Sequence, residues 1–139
     1  MVFVHPTTRG LDLPALADYY LWNAVGNPVE TTIAAAQMVL AGVMEAHPRL
    51  TVVLAHGGGA LPALRGRLRH AHRVTAPARA RLRESVDASL RRFYYDTLTH
   101  DTDLLRGLVA FAGVERVVLG SDYPFDMGTQ RPTEVVRAL

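Results

Sequence analysis

The chain has 139 residues, 49% of them hydrophobic and 20% charged, with a formal charge of +2 and a mean hydropathy of +0.09. That is enough for one globular domain with a core, too short for two, and unlike a disordered chain. The absence of cysteine excludes a disulfide framework, a thiol nucleophile and a cysteine-based zinc site.

In chain order, Val2-Phe3-Val4 reads as a short strand. No basic leader precedes it, so no signal peptide is expected. The segment from Thr7 to Gly26 is long and aromatic-rich, more like a lid or insertion than a tight turn. Asn27-Pro28-Val29-Glu30 offers an N-cap Asn, Pro at the first helical position and Glu at the third. Behind it Val29, Ile33, Ala36, Leu40, Val43 and Met44 recur at helical spacing until His47-Pro48 ends the helix. The stretch from Ile33 to Met44 is the most apolar, but is interrupted by Gln37 and too short to span a membrane.

Thr51 to Ala55 is the second strand, and Leu61, Leu64 and Leu68 stripe the helix after it. Arg79 to Leu90 is expected as a further helix, followed by a third strand at Phe93-Tyr94-Tyr95. Asp101 is placed to cap a helix carrying Leu104, Leu105 and Leu108. Val117-Val118-Leu119 is the fourth strand, and Thr133 to Leu139 begins the last helix. The order β-α-β-α-α-β-α-β-α predicts an α/β parallel array. Continuous apolar runs of this kind suit strands buried on both faces.

All fifteen basic residues are Arg, and nine of them fall between Arg65 and Arg92, against two acids, Glu84 and Asp87. Such a cluster is either a nucleic-acid groove or a solvated helical face. The stretch has no aromatic residue on which bases could stack, which favours the solvated face. Neither a nucleic-acid nor a membrane partner is expected, and a cytoplasmic location is the default.

The position of the polar residues is more informative. His5 follows the first strand directly, His56 follows the second, and Asp122 lies just beyond the fourth. Active sites of parallel α/β folds are built at this carboxyl edge. Any one of the three could be a buried neutral His or a turn Asp; equivalent placement of all three points to a shared site. Two His and an Asp without Cys suit a hard or borderline divalent ion, zinc or manganese. A neutral His beside such an ion can act as general base or acid. Gly57-Gly58-Gly59 allows close approach of a ligand at the next helix start, or marks a flexible turn. No Ser occupies a nucleophile-elbow pattern.

Val2-Phe3-Val4-His5-Pro6, the run from Gly26 to Thr32, Leu54-Ala55-His56-Gly57-Gly58-Gly59-Ala60 and Leu119-Gly120-Ser121-Asp122-Tyr123-Pro124-Phe125 carry a family likeness. Together they resemble the amidohydrolase-related metal-dependent decarboxylases, the aminocarboxymuconate-semialdehyde decarboxylase branch most closely. The resemblance covers essentially the whole chain. It implies the C-terminal half of a (β/α)8 TIM barrel, strands five to eight with their helices, in a homodimer binding one zinc or sometimes manganese. By position it makes His5 and Asp122 metal ligands, and His56 the catalytic residue that activates water and shuttles a proton.

Arg67 matches an Arg that reaches a neighbouring subunit's site and grips a substrate carboxylate, chemistry for which a bidentate guanidinium is suited. A solvated helical Arg is the alternative. Trp22 resembles an aromatic lining the substrate pocket, with its spacing shifted by one residue. Asp96 and His100 are candidate supporting groups, and His47, His70 and His72 are assigned to the surface.

The family's first-strand His-x-His pair has no counterpart in this sequence, nor do the first four β/α units. A catalytic zinc takes at least three protein ligands, so this stretch alone is expected to be catalytically incomplete, with exposed strand edges that favour self-association. The implied reaction is non-oxidative decarboxylation of an unsaturated or aromatic carboxylic acid. A metal-dependent hydrolase or hydratase, or an inactive half-barrel, are the alternatives.

Overall fold

In a computed structural model that describes residues 1–7 and 10–139, four short strands form one parallel sheet. They are β1 (Val2–Val4), β2 (Val52–Leu54), β3 (Tyr94–Asp96) and β4 (Val117–Val118). The sheet order is β1-β2-β3-β4, with Val2 opposite Val52, Val53 opposite Tyr94 and Tyr95 opposite Val117. A doubly wound sheet reverses its strand order partway; successive β/α units of a barrel do not. The sequential order therefore fits part of a barrel.

Helices make each crossover. α1 (Asn27–Leu40) and α2 (Val43–Ala46) join β1 to β2. α3 (Leu61–Val74), α4 (Ala76–Arg79) and α5 (Val86–Leu90) lead to β3. α6 (Thr102–Ala112) leads to β4, and α7 (Pro132–Arg137) follows it. The core lies between β2, β3 and this helical layer, where Val39, Leu54, Leu90, Phe93, Tyr95 and Leu105 pack as one buried cluster. Burial pushes the Tyr95 hydroxyl's pKa up, and the neutral hydroxyl donates to the Leu90 carbonyl at 2.7 Å.

Burial on both faces holds only for the centre of the sheet. β2 is wholly buried and β3 nearly so, whereas Phe3 of β1 is 56% exposed and β4 is half-buried. The outer strands have a neighbour on one side only among the described residues.

Two further expectations are corrected. Asn27 is not an N-cap: the chain enters α1 from a π-helical turn, Trp22–Gly26, and the Asn27 N–H already donates to the Trp22 carbonyl. Arg79 to Leu90 is not one helix. Between α4 and α5 the Arg83 N–H donates to Glu45 at 2.9 Å, and Ser85 caps α5 by accepting from the Ala88 N–H. These contacts outcompete the local helical tendency. Asp101 does cap α6, accepting from the Leu104 N–H at 2.7 Å.

The long segment after β1 holds a 3-10 turn at Pro14–Leu16 before the π-helical turn, with Thr8 and Arg9 outside the described residues. Among the clustered arginines, Arg92 pairs with Glu84, Arg69 with Asp87, and Arg65 and Arg91 stack on Phe111. Among the described residues no helix is long and apolar enough to cross a membrane.

Candidate metal centre

The loops that leave the carboxyl ends of β1, β2 and β4 converge on one point. His5 Nε2 lies 3.2 Å from Asp122 Oδ1, and His56 Nε2 lies 3.7 Å from the same oxygen. One ligand atom from each of the three residues falls within 4.8 Å of the others. The side chains are 29%, 14% and 8% exposed for His5, His56 and Asp122, so the cluster is sheltered but reachable.

The protons show what this cluster lacks. His5 Nδ1–H donates to the Pro6 carbonyl at 2.8 Å, which leaves Nε2 with a lone pair facing a carboxylate oxygen. Lone pairs that converge in this way are stabilised by a shared proton or by a cation between them. Metal–ligand bonds of about 2.0–2.1 Å at tetrahedral angles separate ligand atoms by about 3.3 Å, close to the 3.2 Å between His5 Nε2 and Asp122 Oδ1. His5 and Asp122 therefore fit a divalent ion, with His56 beside them.

His56 owes its position to Asp96. The buried Asp96 carboxylate accepts the His56 N–H at 3.0 Å, the Gly57 N–H at 2.7 Å and the Leu98 N–H at 3.0 Å. It thereby clamps the His56 loop to the end of β3. His56 adopts φ 56° and Asp122 φ 53°, left-handed conformations that a non-glycine residue holds only when its surroundings enforce them. Burial pushes the His56 pKa down, and nearby His5 adds to this; Asp96 and Asp122 oppose it without reversing the direction. The imidazole is thus kept neutral and able to take up a proton.

The three glycines after His56 form a tight, packed turn. A Cβ on Gly59, at φ 65°, would lie 2.1 Å from the Pro28 carbonyl oxygen of α1. Close packing between the β2 loop and α1 therefore requires glycine there.

Two hollows flank the cluster. His5, Asp96 and Asp122 line an open cleft of about 420 Å³, with Phe125 stacked on His5 at 5.8 Å. His56 lines a second cavity of about 310 Å³ between the starts of α1, α3 and α6. Trp22 lies elsewhere, in a cleft with Leu11, Leu13 and Ala17 that contains none of the three cluster residues. Arg67 is exposed on α3. His100 lines the His56 cavity, and His47 and His70 are exposed. His72 is half-buried, its ring nitrogen within 3.2 Å of the Leu82 carbonyl, which corrects its assignment to the surface.

Asp96 was named as a candidate supporting group through the family resemblance, and the structure shows its carboxylate bound to the His56 loop. Nothing in the sequence marked Asn27, which lines the His56 cavity, as anything but a helix cap. Phe125 belongs to the Gly-Ser-Asp-Tyr-Pro-Phe motif, but only the fold brings it to His5.

A parallel β/α array with a two-His, one-Asp cluster at its carboxyl edge is the architecture of a metal-dependent hydrolase-type barrel. The whole chain, residues 1–139, matches the amidohydrolase family, and it belongs to that family. It is 34% identical over 140 residues to a 2-amino-3-carboxymuconate-6-semialdehyde decarboxylase of Dictyostelium discoideum, covering 99% of this chain and 38% of that protein. The crystal structure of 5-carboxyvanillate decarboxylase from Sphingomonas paucimobilis superposes with a TM-score of 0.81 at 28% identity, over 97% of this chain and 42% of that one. A second 5-carboxyvanillate decarboxylase, from Novosphingobium aromaticivorans and crystallised with manganese, gives 0.82 at 19% identity, covering 99% and 42%. At that identity the likeness speaks for the fold alone. The chain thus spans about two fifths of the length of the proteins it matches, and its sheet is part of a TIM barrel.

Proposed function

We propose that this chain contributes strands five to eight, and one side of the metal centre, of a non-oxidative carboxy-lyase acting on an unsaturated or aromatic carboxylic acid. The observation that carries the reading is the convergence of His5, His56 and Asp122 at the carboxyl edge of the sheet. The relatives named as decarboxylases support the reaction class.

In this reading His5 and Asp122 hold a divalent ion, zinc in preference to manganese, and the remaining protein ligands come from outside this stretch. Bound there, such an ion would supply Lewis-acid stabilisation of the negative charge that develops as the carbon–carbon bond breaks. His56, neutral and clamped by Asp96, takes up and returns a proton at Nε2 during the exchange of the carboxylate for hydrogen. Phe125, stacked on His5, offers an apolar face to the substrate's unsaturated carbons and keeps water from that side. Arg67 grips a carboxylate in the site of a second subunit of a homodimer. A cytoplasmic location suits such an enzyme.

The test is an assay of the whole polypeptide that carries this stretch, loaded with zinc or manganese. Carboxyl-labelled muconate-semialdehyde and hydroxybenzoate acids serve as substrates. Release of labelled carbon dioxide that falls at least about a hundredfold in His56→Ala is expected. A hydrolysed or hydrated product without carbon dioxide would overturn the carboxy-lyase reading.

A further inference from the structure

The two ends of the sheet are unfinished in complementary ways. At β1, Val2 donates its N–H to the Thr51 carbonyl at 2.8 Å, and the Val4 carbonyl accepts the Ala55 N–H at 3.0 Å. The N–H and carbonyl of Phe3, between them, therefore turn to the open edge. The Phe3 side chain is exposed in the cleft of His5 and Asp122. Val2, on the opposite face with Val4 and the helical layer, is exposed as well. The β4 end repeats the pattern. Leu119 is exposed in the same cleft, and α7 packs Val135 against the core but leaves Val136 bare. Among the described residues β1 thus lacks a strand beside it and a helix over it, and β4 with α7 lacks a strand to join and cover.

The metal centre is unfinished at the same place. His5 stands beyond β1 and Asp122 beyond β4, so its two candidate ligands come from the outermost strands. A catalytic zinc takes at least three protein ligands and a closed zinc site four. A partner that repairs both defects presents one parallel strand to β4, another to β1, and His or carboxylate donors on the same rim. A second copy of this chain meets each condition. Its β1 edge fits β4, its β4 edge fits β1, and two sets of four strands make the eight of a closed barrel. Pairing β1 with β1 would instead run the strands antiparallel and send the two clusters to opposite ends.

We propose that two copies of this chain close head to tail about a twofold axis along the barrel, β4 of each beside β1 of the other, and that His5 and Asp122 of both copies surround one divalent ion. Phe3 and Leu119 are then covered inside the barrel, and Val136 on α7 of one copy covers Val2 of the other. The contact uses the ends of the sheet and leaves α3, which carries Arg67, on the outside. It rests on the metal-centre part of the carboxy-lyase reading and not on the reaction. Joining two chains opposes binding of the ion, so affinity per chain stays weak and rises with chain concentration.

Sedimentation velocity of this chain over a range of concentrations, with and without zinc or manganese, tests the pairing, together with equilibrium dialysis and circular dichroism. The expected species is a closed dimer with nothing larger. It should bind one ion per two chains that Asp122→Ala does not bind. Metal should tighten the wild-type dimer at least about tenfold, and Asp122→Ala should lose that shift while still pairing. Phe3→Arg and Val136→Arg each place a charge at the junction on a residue that is already exposed, so both should keep their helical spectrum and become monomeric. A monomer at every concentration, open-ended oligomers, one ion per chain, a metal shift that persists in Asp122→Ala, or a dimer that survives both charge substitutions would each overturn the proposal. A closed dimer with one ion per two chains, and no carbon dioxide from the whole polypeptide, would retire the reaction and leave the pairing standing. A monomeric chain with carbon dioxide released by the whole polypeptide would do the reverse.

Discussion

The carboxyl edge of the sheet and the outer layer of α3 to α5 handle polar residues in opposite ways. At the edge, His56 and Asp122 sit at positive φ, their loops are tied to buried partners, and three lone-pair-bearing side chains are pressed together. In the outer layer Arg92 and Arg69 pair with Glu84 and Asp87, Arg65 and Arg91 lie over Phe111, and no described residue of α3 to α5 has positive φ. Charges of the outer layer are mostly paired within the chain or face solvent, although one oxygen of Asp87 is buried without a partner among the described residues. Those at the edge are left needing something more. Backbone strain and unmet lone pairs in one region, against ordinary helices in the other, separate the site from the scaffold on physical grounds.

The contrast can be broken by substitution. Asp96 is the residue that makes the edge rigid, so Asp96→Ala should have the largest effect. It leaves the backbone N–H groups of His56, Gly57 and Leu98 without their acceptor in a buried place. A loss of about 3–5 kcal/mol in urea denaturation is expected; a loss below about 1 kcal/mol would show that the His56 loop is held by something else.

A pair of glycines sharpens the comparison at smaller magnitude. Gly59→Ala introduces a methyl against the Pro28 carbonyl at positive φ and should cost about 2–3 kcal/mol. Gly107 lies exposed in α6 with open space around it, so Gly107→Ala should stabilise by about 0.5–1 kcal/mol. Equal effects at the two positions, read from the same denaturation curves, would erase the distinction between the edge and an ordinary helix of the scaffold.

Much of this was legible in the sequence. The apolar runs located all four strands, and their ends pointed to His5, His56 and Asp122. Both signals are local, so they survive folding unchanged. What escaped was set by distant partners. Glu45 holds the Arg83 backbone and breaks a stretch that looked continuously helical. The π-helical turn replaces the Asn27 cap because the chain reaches α1 already helical. Burial differs between central and outer strands although all four read alike as apolar runs, since burial depends on neighbours that a strand's own residues do not encode. Asp96 was visible as a polar residue at a strand end, but the groups it binds lie about forty positions away, at His56 and Gly57.

The central claim is that His5, His56 and Asp122 form part of a metal centre. Manganese titrated into the chain, with the histidine ring protons followed by NMR, tests it directly. Paramagnetic broadening should reach His5 and His56 first and leave His47 and His70 sharp. Binding should be weak, as befits a partial ligand set, and the selectivity should vanish in Asp122→Ala. Broadening that spreads evenly over the histidines, spares His5 and His56, or persists in Asp122→Ala would contradict the account.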